Sequence, residues 1–170
     1  MSELTETVVI RPARPNEADT LADIEAICFP PAEAASREQI RARLALFPEN
    51  FLVAEIDGRP VGFLNGATTD RPALPDALYH DASLHIPDGA YMTVFGLNVL
   101  PDCRRRGIAG QLLRAYEGLA RVRGKKGLVL TCKEHLIHYY ERFGYINRGI
   151  ADSAHGGQVW YDMQYHFDET

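Results

Sequence analysis

The stretch that decides the fold is residues 91–123, YMTVFGLNVLPDCRRRGIAGQLLRAYEGLARVR. Its first part, from Tyr91 to Leu100, is apolar and rich in β-forming residues, and it ends at Pro101-Asp102. Its second part has apolar residues at helical spacing: Ile108, Leu112, Leu113, Tyr116, Leu119 and Ala120. The pattern predicts a strand that leads directly into a helix.

Between this strand and this helix lies a short segment that begins with three arginines and continues with two glycines and an alanine among its last four residues. We call it the cradle segment, and it consists of Arg104, Arg105, Arg106, Gly107, Ile108, Ala109 and Gly110. Free backbone N–H groups and the positive end of a helix dipole favour an anion at such a place. The segment has neither the Gly-x-x-x-x-Gly-Lys-Ser/Thr loop nor the Gly-x-Gly-x-x-Gly loop. It therefore predicts a pyrophosphate site of another kind.

Length and composition restrict the class of protein. The chain has 170 residues, of which 46% are hydrophobic and 24% charged, so we expect one domain over residues 1–170. A net charge of -5 argues against a nucleic-acid binder. Cys28, Cys103 and Cys132 are widely spaced, which predicts neither a disulfide framework nor a metal site. Reduced thiols favour the cytoplasm.

No targeting or membrane segment is apparent. Met1 to Thr7 lack the basic start and apolar run of a signal peptide, and no stretch approaches eighteen continuous apolar residues. We expect a soluble protein without membrane contact.

The hydrophobic pattern predicts seven strands and four helices in the order β-α-α-β-β-β-α-β-α-β-β. The clearest hairpin joins the apolar runs 51–56 and 61–67 through Asp57-Gly58. Ser36 and Gln39 form a capping-box pattern at the start of the second helix. Residues 71–89 contain three prolines and no sustained period, which predicts a long loop. We interpret this loop as an ordered wall of a substrate site.

The chain resembles the GNAT superfamily of acetyl-coenzyme A-dependent N-acetyltransferases. Arg104, Gly107 and Ala109 fill that family's Gln/Arg-x-x-Gly-x-Gly/Ala motif, and residues 139–145, YYERFGY, resemble a second block. The resemblance covers nearly the whole chain. It implies an α+β fold with one mixed, mostly antiparallel seven-stranded sheet, flanked by four helices and splayed between its fourth and fifth strands. On a plainer reading, the arginines are a solvated helix start and the glycines form a turn.

The resemblance also implies where the cosubstrate binds. Acetyl-coenzyme A would place its phosphates on the cradle segment and its pantetheine arm along the fourth strand. The residues of that strand are Leu97, Asn98 and Val99. A backbone N–H near Leu97 would stabilise the oxyanion. These residues could equally be a buried strand with no further role, and both descriptions can hold together.

Tyr140 falls where the family commonly keeps a tyrosine directed at the coenzyme sulfur. A phenol with a pKa near 10 can protonate a thiolate whose conjugate acid has a pKa near 8.5 only if the two groups are close together. We therefore predict Tyr140 as the general acid, with a purely structural core aromatic as the alternative.

Within the family, the chain looks most similar to the arylalkylamine N-acetyltransferase-like group, through residues 28–30, 130–134 and 140–144. The vertebrate enzymes of that group carry two catalytic histidines on the fourth strand. Thr93 and Phe95 stand at those positions here, and neither can act as a base. The remaining candidates for a base or for the substrate wall are Glu33, Asp81, His85 and His155, or an ordered water chain. Each of the four side chains could instead be solvated or could stabilise a turn.

These observations favour an acyltransferase that moves an acetyl group to a primary amine of a small molecule by direct attack. Phe29, Tyr79, Phe95 and Trp160 could line an aromatic slot for the amine, or they could be core residues. Two other functions are a catalytically idle acetyl-coenzyme A sensor and a protein or peptide N-acetyltransferase. We expect a monomer or a homodimer.

Overall fold

The structure is a computed structural model that describes residues 7–167. The prediction that the first seven residues are not part of a signal peptide falls on residues that, up to position 6, lie outside this range. The described residues form two compact units. The first unit contains residues 7–65 and 96–116, and the second contains 66–95 and 117–167.

The secondary structure of the described residues is as follows. The strands are β1 (Val8–Pro12), β2 (Phe51–Ile56), β3 (Arg59–Asn65), β4 (Thr68–Thr69), β5 (Tyr91–Val94), β6 (Gly96–Val99), β7 (Gly127–Cys132), β8 (Ile146–Ile150) and β9 (Tyr161–His166). The helices are α1 (Ala18–Cys28), α2 (Arg37–Leu46), α3 (Asp76–His80), α4 (Ile108–Val122) and α5 (Ile137–Glu141).

The first unit is built on an antiparallel sheet with the strand order β1-β2-β3-β6. The predicted hairpin is confirmed, because Asp57 and Gly58 take positive φ angles of 51° and 80° between β2 and β3. The capping box is confirmed too. Gln39 N–H donates to Ser36 Oγ at 3.1 Å, and Ser36 N–H donates to Gln39 Oε1 at 2.8 Å. Helix α1 contacts α2, β3 and β6, so it covers one face of this sheet.

Arg11 of β1 forms hydrogen-bonded ion pairs with two carboxylates of the first unit. Arg11 donates to both carboxylate oxygens of Glu17, at 2.9 and 2.6 Å, and to Glu55 at 2.7 Å. The side chains of Arg11 and Glu17 are only 12% and 10% exposed, which makes this pair stronger than a solvated one. The hydrogen bond from Arg11 lowers the pKa of Glu17 below its usual value.

We expect Glu17→Gln to lower the free energy of unfolding by about 2 kcal/mol at pH 7. A group with a lowered pKa stabilises the fold above its unfolded pKa and loses that effect as the pH falls. The difference in melting temperature should therefore be smaller at pH 3 than at pH 7, as thermal unfolding at both pH values would show. Asp23→Asn is the control, because the Asp23–Arg37 ion pair is exposed. An equal loss at both pH values would contradict the role of the charge.

The second unit contains a five-stranded sheet with the order β4-β5-β7-β9-β8. Strands β5 and β7 are parallel, and the other pairs are antiparallel. The helices and mixed pairing agree with the predicted α+β class. However, the predicted single seven-stranded sheet is wrong, since the described residues form one sheet of four strands and another of five.

The difference arises mainly at residues 91–100, which the sequence predicts as one strand. The structure divides this stretch into β5 and β6, with Phe95 between them. Strand β5 pairs with β4 and β7, whereas β6 pairs with β3. Apolar content and β-propensity indicate that a segment is extended but do not select its partner.

The predicted loop 71–89 is also more regular than expected. It contains α3 and a single 3₁₀ turn, Ala82–Leu84, so the described chain has five α-helices rather than four. Pro75 precedes α3, and Asp76 accepts hydrogen bonds from Ser153 Oγ at 2.6 Å and Ala154 N–H at 3.2 Å. A five-residue helix is too short to show a period in the sequence. No helix within residues 7–167 is long and apolar enough to cross a membrane.

Candidate functional site

The cradle segment has the backbone geometry of an anion site. Arg105 and Gly107 take positive φ angles of 65° and 78°, and α4 begins directly afterwards at Ile108. A Cβ added at Gly107 would have no heavy atom within 4 Å apart from those of its own chain neighbours, so the backbone is open to a ligand. The first N–H groups of a helix have no intrahelical acceptor. The arrangement therefore fits a pyrophosphate group.

Strand β6 is an end strand of the sheet in the first unit. Leu100 N–H donates to Val61 O of β3 at 2.8 Å, and alternate residues of a strand direct their polar backbone groups to opposite sides. Leu97 and Val99 therefore direct their N–H and C=O groups away from β3. Two side chains of the same unit donate to Val99 O, Arg104 Nε at 2.9 Å and Cys28 Sγ at 3.4 Å. This edge can pair with an extended, amide-containing ligand.

The face of β6 that α1 covers carries a group of buried polar side chains. Asn98 is fully buried and stands directly opposite Phe63 of β3. A Cβ built on Gly96 would lie 3.2 Å from Asn98 Nδ2, 3.5 Å from Glu25 Oε1 and 3.8 Å from Phe29 Cε2. Sequence reasoning missed Glu25. The available signal was a carboxylate on the apolar side of α1, beside Leu21, Ile24 and Cys28.

Tyr140 lies in α5 of the second unit, with a residue exposure of 8%. Its ring is in edge-on contact with Tyr139 at 5.3 Å and with Tyr145 at 5.9 Å between centroids. Burial raises the pKa of Tyr140 well above its usual value, and Cys132 adds to this effect. Burial also raises the pKa of Cys132, to about 11. Tyr140 is therefore a phenol that keeps its proton.

The second unit also contains a group of aromatic rings. Tyr79 stacks on His155 with 5.1 Å between centroids and lies 4.9 Å from Phe95. His155 is 5.9 Å from Trp160, whose Nε1–H donates to the backbone oxygen of His155 at 2.8 Å. We call Tyr79, Phe95, His155 and Trp160 the aromatic cluster. Three of the four residues predicted as a slot, Tyr79, Phe95 and Trp160, are thus linked by ring contacts, with His155 between Tyr79 and Trp160.

Two of the base candidates from the sequence serve local structure. Asp81 Oδ1 accepts hydrogen bonds from the N–H and Oγ of Ser83, at 3.0 and 2.5 Å. His85 Nδ1 accepts from Thr68 N–H at 2.9 Å, so the proton of the neutral ring lies on Nε2. Glu33 is half-buried in the turn after α1, where its N–H donates to Pro30 O at 2.9 Å.

Thr93 is fully buried and exchanges hydrogen bonds with the backbone of Ala67, each at 3.0 Å. Its hydroxyl therefore stabilises the pairing of its own strand. Within residues 7–167, no group of three His, Cys, Asp or Glu side chains could hold a metal ion.

Comparison with known proteins decides the family. The profile of the Acetyltransferase (GNAT) family matches residues 18–145. The chain belongs to this family. The match includes both the cradle segment and Tyr140, so this GNAT chain has the two blocks through which its sequence resembles the family.

Two curated relatives of this GNAT chain are N-acetyltransferases by description. Serotonin N-acetyltransferase of Mesocricetus auratus is 29% identical over 128 residues, which are 75% of this chain and 60% of that protein. The uncharacterized N-acetyltransferase YkwB of Bacillus subtilis (strain 168) is 28% identical over 124 residues, 66% of this chain and 55% of that protein. The chain thus spans little more than half the length of the curated relatives it matches.

Solved structures share the fold of this GNAT chain. The GphF GNAT-like decarboxylase in complex with isobutyryl-CoA has a TM-score of 0.81 at 23% identity, covering 93% of this chain and 98% of that one. A GNAT family acetyltransferase from Brucella melitensis in complex with acetyl-CoA has a TM-score of 0.62 at 21% identity, covering 96% and 90%. Both of these structures contain a bound coenzyme A derivative, and at this identity they show the fold of the present chain alone.

Proposed function

We propose that the chain is an acetyl-coenzyme A-dependent N-acetyltransferase that acts on a primary amine of a small aromatic molecule. The observation that carries the proposal is the family match over residues 18–145, which contains the cradle segment and Tyr140. Two curated N-acetyltransferases and a GNAT structure with bound acetyl-CoA support the reaction type.

In this proposal the first unit holds the donor. The N–H groups at the start of α4 and the arginines beside them bind the phosphates. The edge of β6 at Leu97 and Val99 pairs with the pantetheine amides, and at Val99 O the ligand replaces one of the two side-chain donors. The backbone N–H of Leu97 stabilises the negative charge that develops on the thioester oxygen as the amine attacks. These groups are fixed by the fold before the ligand binds, which reduces the entropic cost of binding.

Tyr140 is the proposed acid that protonates the departing thiolate. Its burial raises its pKa, which by itself makes the phenol a weaker acid. A low-dielectric environment also makes a thiolate a stronger base, so the two effects oppose each other. The phenol remains protonated at neutral pH, as a general acid must.

The aromatic cluster is the reason for proposing an aromatic acceptor. Flat rings favour other rings in stacked or edge-on arrangements, with about 0.5–1.5 kcal/mol per pair beyond simple burial. Such a cluster also suits the arylalkylamine group to which the sequence looks most similar. One of the curated relatives is described as a serotonin N-acetyltransferase, which is consistent with an amine of this kind.

The test is acetyl transfer by the purified chain from acetyl-CoA to a panel of arylalkylamines, polyamines, amino-acid amides and peptides with free N-termini. Release of the coenzyme thiol gives the rate, and mass spectrometry identifies the acetylated product. We expect the highest kcat/KM with an arylalkylamine. A preference for peptides would support a protein acetyltransferase instead. Acetyl-CoA binding without transfer to any acceptor would support an idle binding protein.

The aromatic cluster provides a mutational test of the acceptor class. We expect Tyr79→Leu to raise KM for an arylalkylamine by about 3- to 10-fold, because one ring contact is lost. KM for a non-aromatic alkylamine should change less than about twofold. Tyr91→Leu is the matched control, because Tyr91 pairs with His166 and not with the cluster. Equal changes for both amines would contradict an aromatic slot.

A further inference from the structure

We infer that Glu25, together with Asn98 and Phe29, forms the binding site for the ammonium group of the acceptor, next to Gly96. This inference rests on the proposed function and adds a recognition site that the sequence motifs do not contain. The four residues belong to the first unit and lie on the face of β6 that α1 covers.

Gly96 creates the space for this site. Its missing side chain leaves a position bordered by Glu25 Oε1, Asn98 Nδ2 and Phe29 Cε2, at 3.5, 3.2 and 3.8 Å from a Cβ placed there. Directly opposite residues of an antiparallel pair share a face, so Asn98 and Gly96 face the same side as Phe63 and Asn65 of β3. The space is therefore bordered by a carboxylate, an amide and an aromatic ring.

These three groups together suit a primary ammonium. A carboxylate forms charge-assisted hydrogen bonds with N–H donors, and an aromatic ring attracts a cation. Asn98 Nδ2 donates to Phe63 O at 3.4 Å, while Asn98 Oδ1 has no hydrogen-bond partner among residues 7–167. The Asn98 atom beside the space is the donor Nδ2, so binding of an ammonium requires half a turn of the amide group, which brings the acceptor Oδ1 to the space and gives up the long bond to Phe63 O. A buried polar atom without a partner is costly, and an N–H donor from the ligand would then remove that cost.

The second carboxylate oxygen of Glu25, Oε2, binds the backbone of its own unit rather than facing Gly96. Oε2 accepts from Ala35 N–H at 2.9 Å, immediately before the helix-capping Ser36. This bond fixes the segment between α1 and α2 and holds the carboxylate in place. Oε1 is the oxygen that faces Gly96. One carboxylate therefore both tethers the segment and presents a negative charge to the acceptor site.

The same carboxylate can take the proton that the amine must lose before it attacks. The ammonium transfers one proton to Glu25, which gives a neutral amine and a carboxylic acid. The neutral amine nitrogen then bonds to the thioester carbon and the C–S bond breaks. The general acid gives its proton to the thiolate sulfur, and the second proton from the nitrogen restores that acid. Glu25 then returns its proton to solvent, so protons balance over the cycle.

The test compares an amine with its uncharged counterpart. Competitive inhibition by 2-phenylethylamine and by 2-phenylethanol is measured with the wild type, Glu25→Gln and Asp23→Asn, using the best acceptor of the panel as substrate. Asp23 is the control because it is an exposed carboxylate on the same helix. Glutamine keeps an oxygen for Ala35 N–H but loses the charge. We expect the wild type and Asp23→Asn to bind the amine at least about 10-fold more tightly than the alcohol, and Glu25→Gln to lose this preference.

Gly96→Ala is a second variant that leaves all charges unchanged. Its methyl group would occupy the space beside Glu25 Oε1, so KM for the amine should rise about 10-fold while acetyl-CoA affinity remains within about threefold. Calorimetry with acetyl-CoA and thermal unfolding establish that each variant is folded. If both variants keep the amine preference and KM of the wild type, Glu25 is only a tether and the inference is wrong.

The result also separates this inference from the proposed function. If the wild type acetylates amines and Glu25→Gln retains the preference for the amine, the ammonium site is wrong and the proposed function stands. If the wild type binds acetyl-CoA but acetylates no amine, both the proposed function and the ammonium site are wrong.

Discussion

Replacing Gly107 with valine is expected to abolish acetyl-CoA binding by this chain. The residue has a φ angle of 78°, and the space around its missing side chain is open. A β-branched side chain there would strain the backbone by about 1–2 kcal/mol and would project over the start of α4. Loss of two phosphate hydrogen bonds of about 1.5 kcal/mol each corresponds to a loss of affinity of about 100-fold or more. Isothermal calorimetry with acetyl-CoA measures this affinity.

Gly58→Val is the matched control for this experiment. Gly58 has a φ angle of 80°, is also open around its missing side chain, and lies in the β2–β3 turn rather than in the cradle segment. Both variants should lower the melting temperature by similar amounts, but only Gly107→Val should lose the coenzyme. If Gly107→Val retains wild-type affinity, the cradle segment does not bind the phosphates.

The second large effect is expected for Tyr140→Phe, which removes one hydroxyl and preserves the ring. The turnover rate should fall roughly 10- to 1000-fold, the range for loss of a general acid, while acetyl-CoA affinity changes little. Because burial raises the pKa of Tyr140, the hydroxyl keeps its proton up to pH 9. The ratio of wild-type to variant rates should therefore stay constant between pH 6 and pH 9. Steady-state kinetics across this range test both expectations.

Tyr139→Phe is the control for Tyr140→Phe, because it makes the same change in the neighbouring residue. The Tyr139 ring is half-buried and contacts Phe143 as well as Tyr140. We expect at most about a twofold change in turnover from this control. Wild-type turnover in Tyr140→Phe would show that Tyr140 is a core aromatic. Equal losses in both variants would indicate a general effect on packing.

Local features of the fold could be predicted from the sequence because they depend on neighbouring residues. The Asp57-Gly58 hairpin and the Ser36–Gln39 capping box both formed as expected, since turn and cap chemistry act over three or four residues. The division of residues 91–100 into two strands of different sheets could not be predicted. It depends on which distant strand each half meets, and β3, β4 and β7 determine that.

In the candidate site, too, the sequence predicts the features that are local and not those that depend on packing. The cradle segment is continuous in sequence, so its arginines and glycines indicate an anion site without a structure. Glu25 and Gly96 are 71 positions apart, and only the packing of α1 on β6 brings them together. Asp81 and His85 were plausible bases by residue type, but their hydrogen bonds with Ser83 and Thr68 became visible only in the structure.

The hydrogen bonds at Val99 have a consequence for the energetics of coenzyme recognition. A carbonyl oxygen has two lone pairs, and here it accepts from both Arg104 Nε and Cys28 Sγ. A pantetheine amide that pairs with this oxygen must replace one of them, and the thiol is the weaker donor. Such an exchange of one hydrogen bond for another contributes little net free energy. In the proposed binding mode, pairing along β6 therefore mainly sets the register of the thioester, and most of the affinity comes from the phosphates.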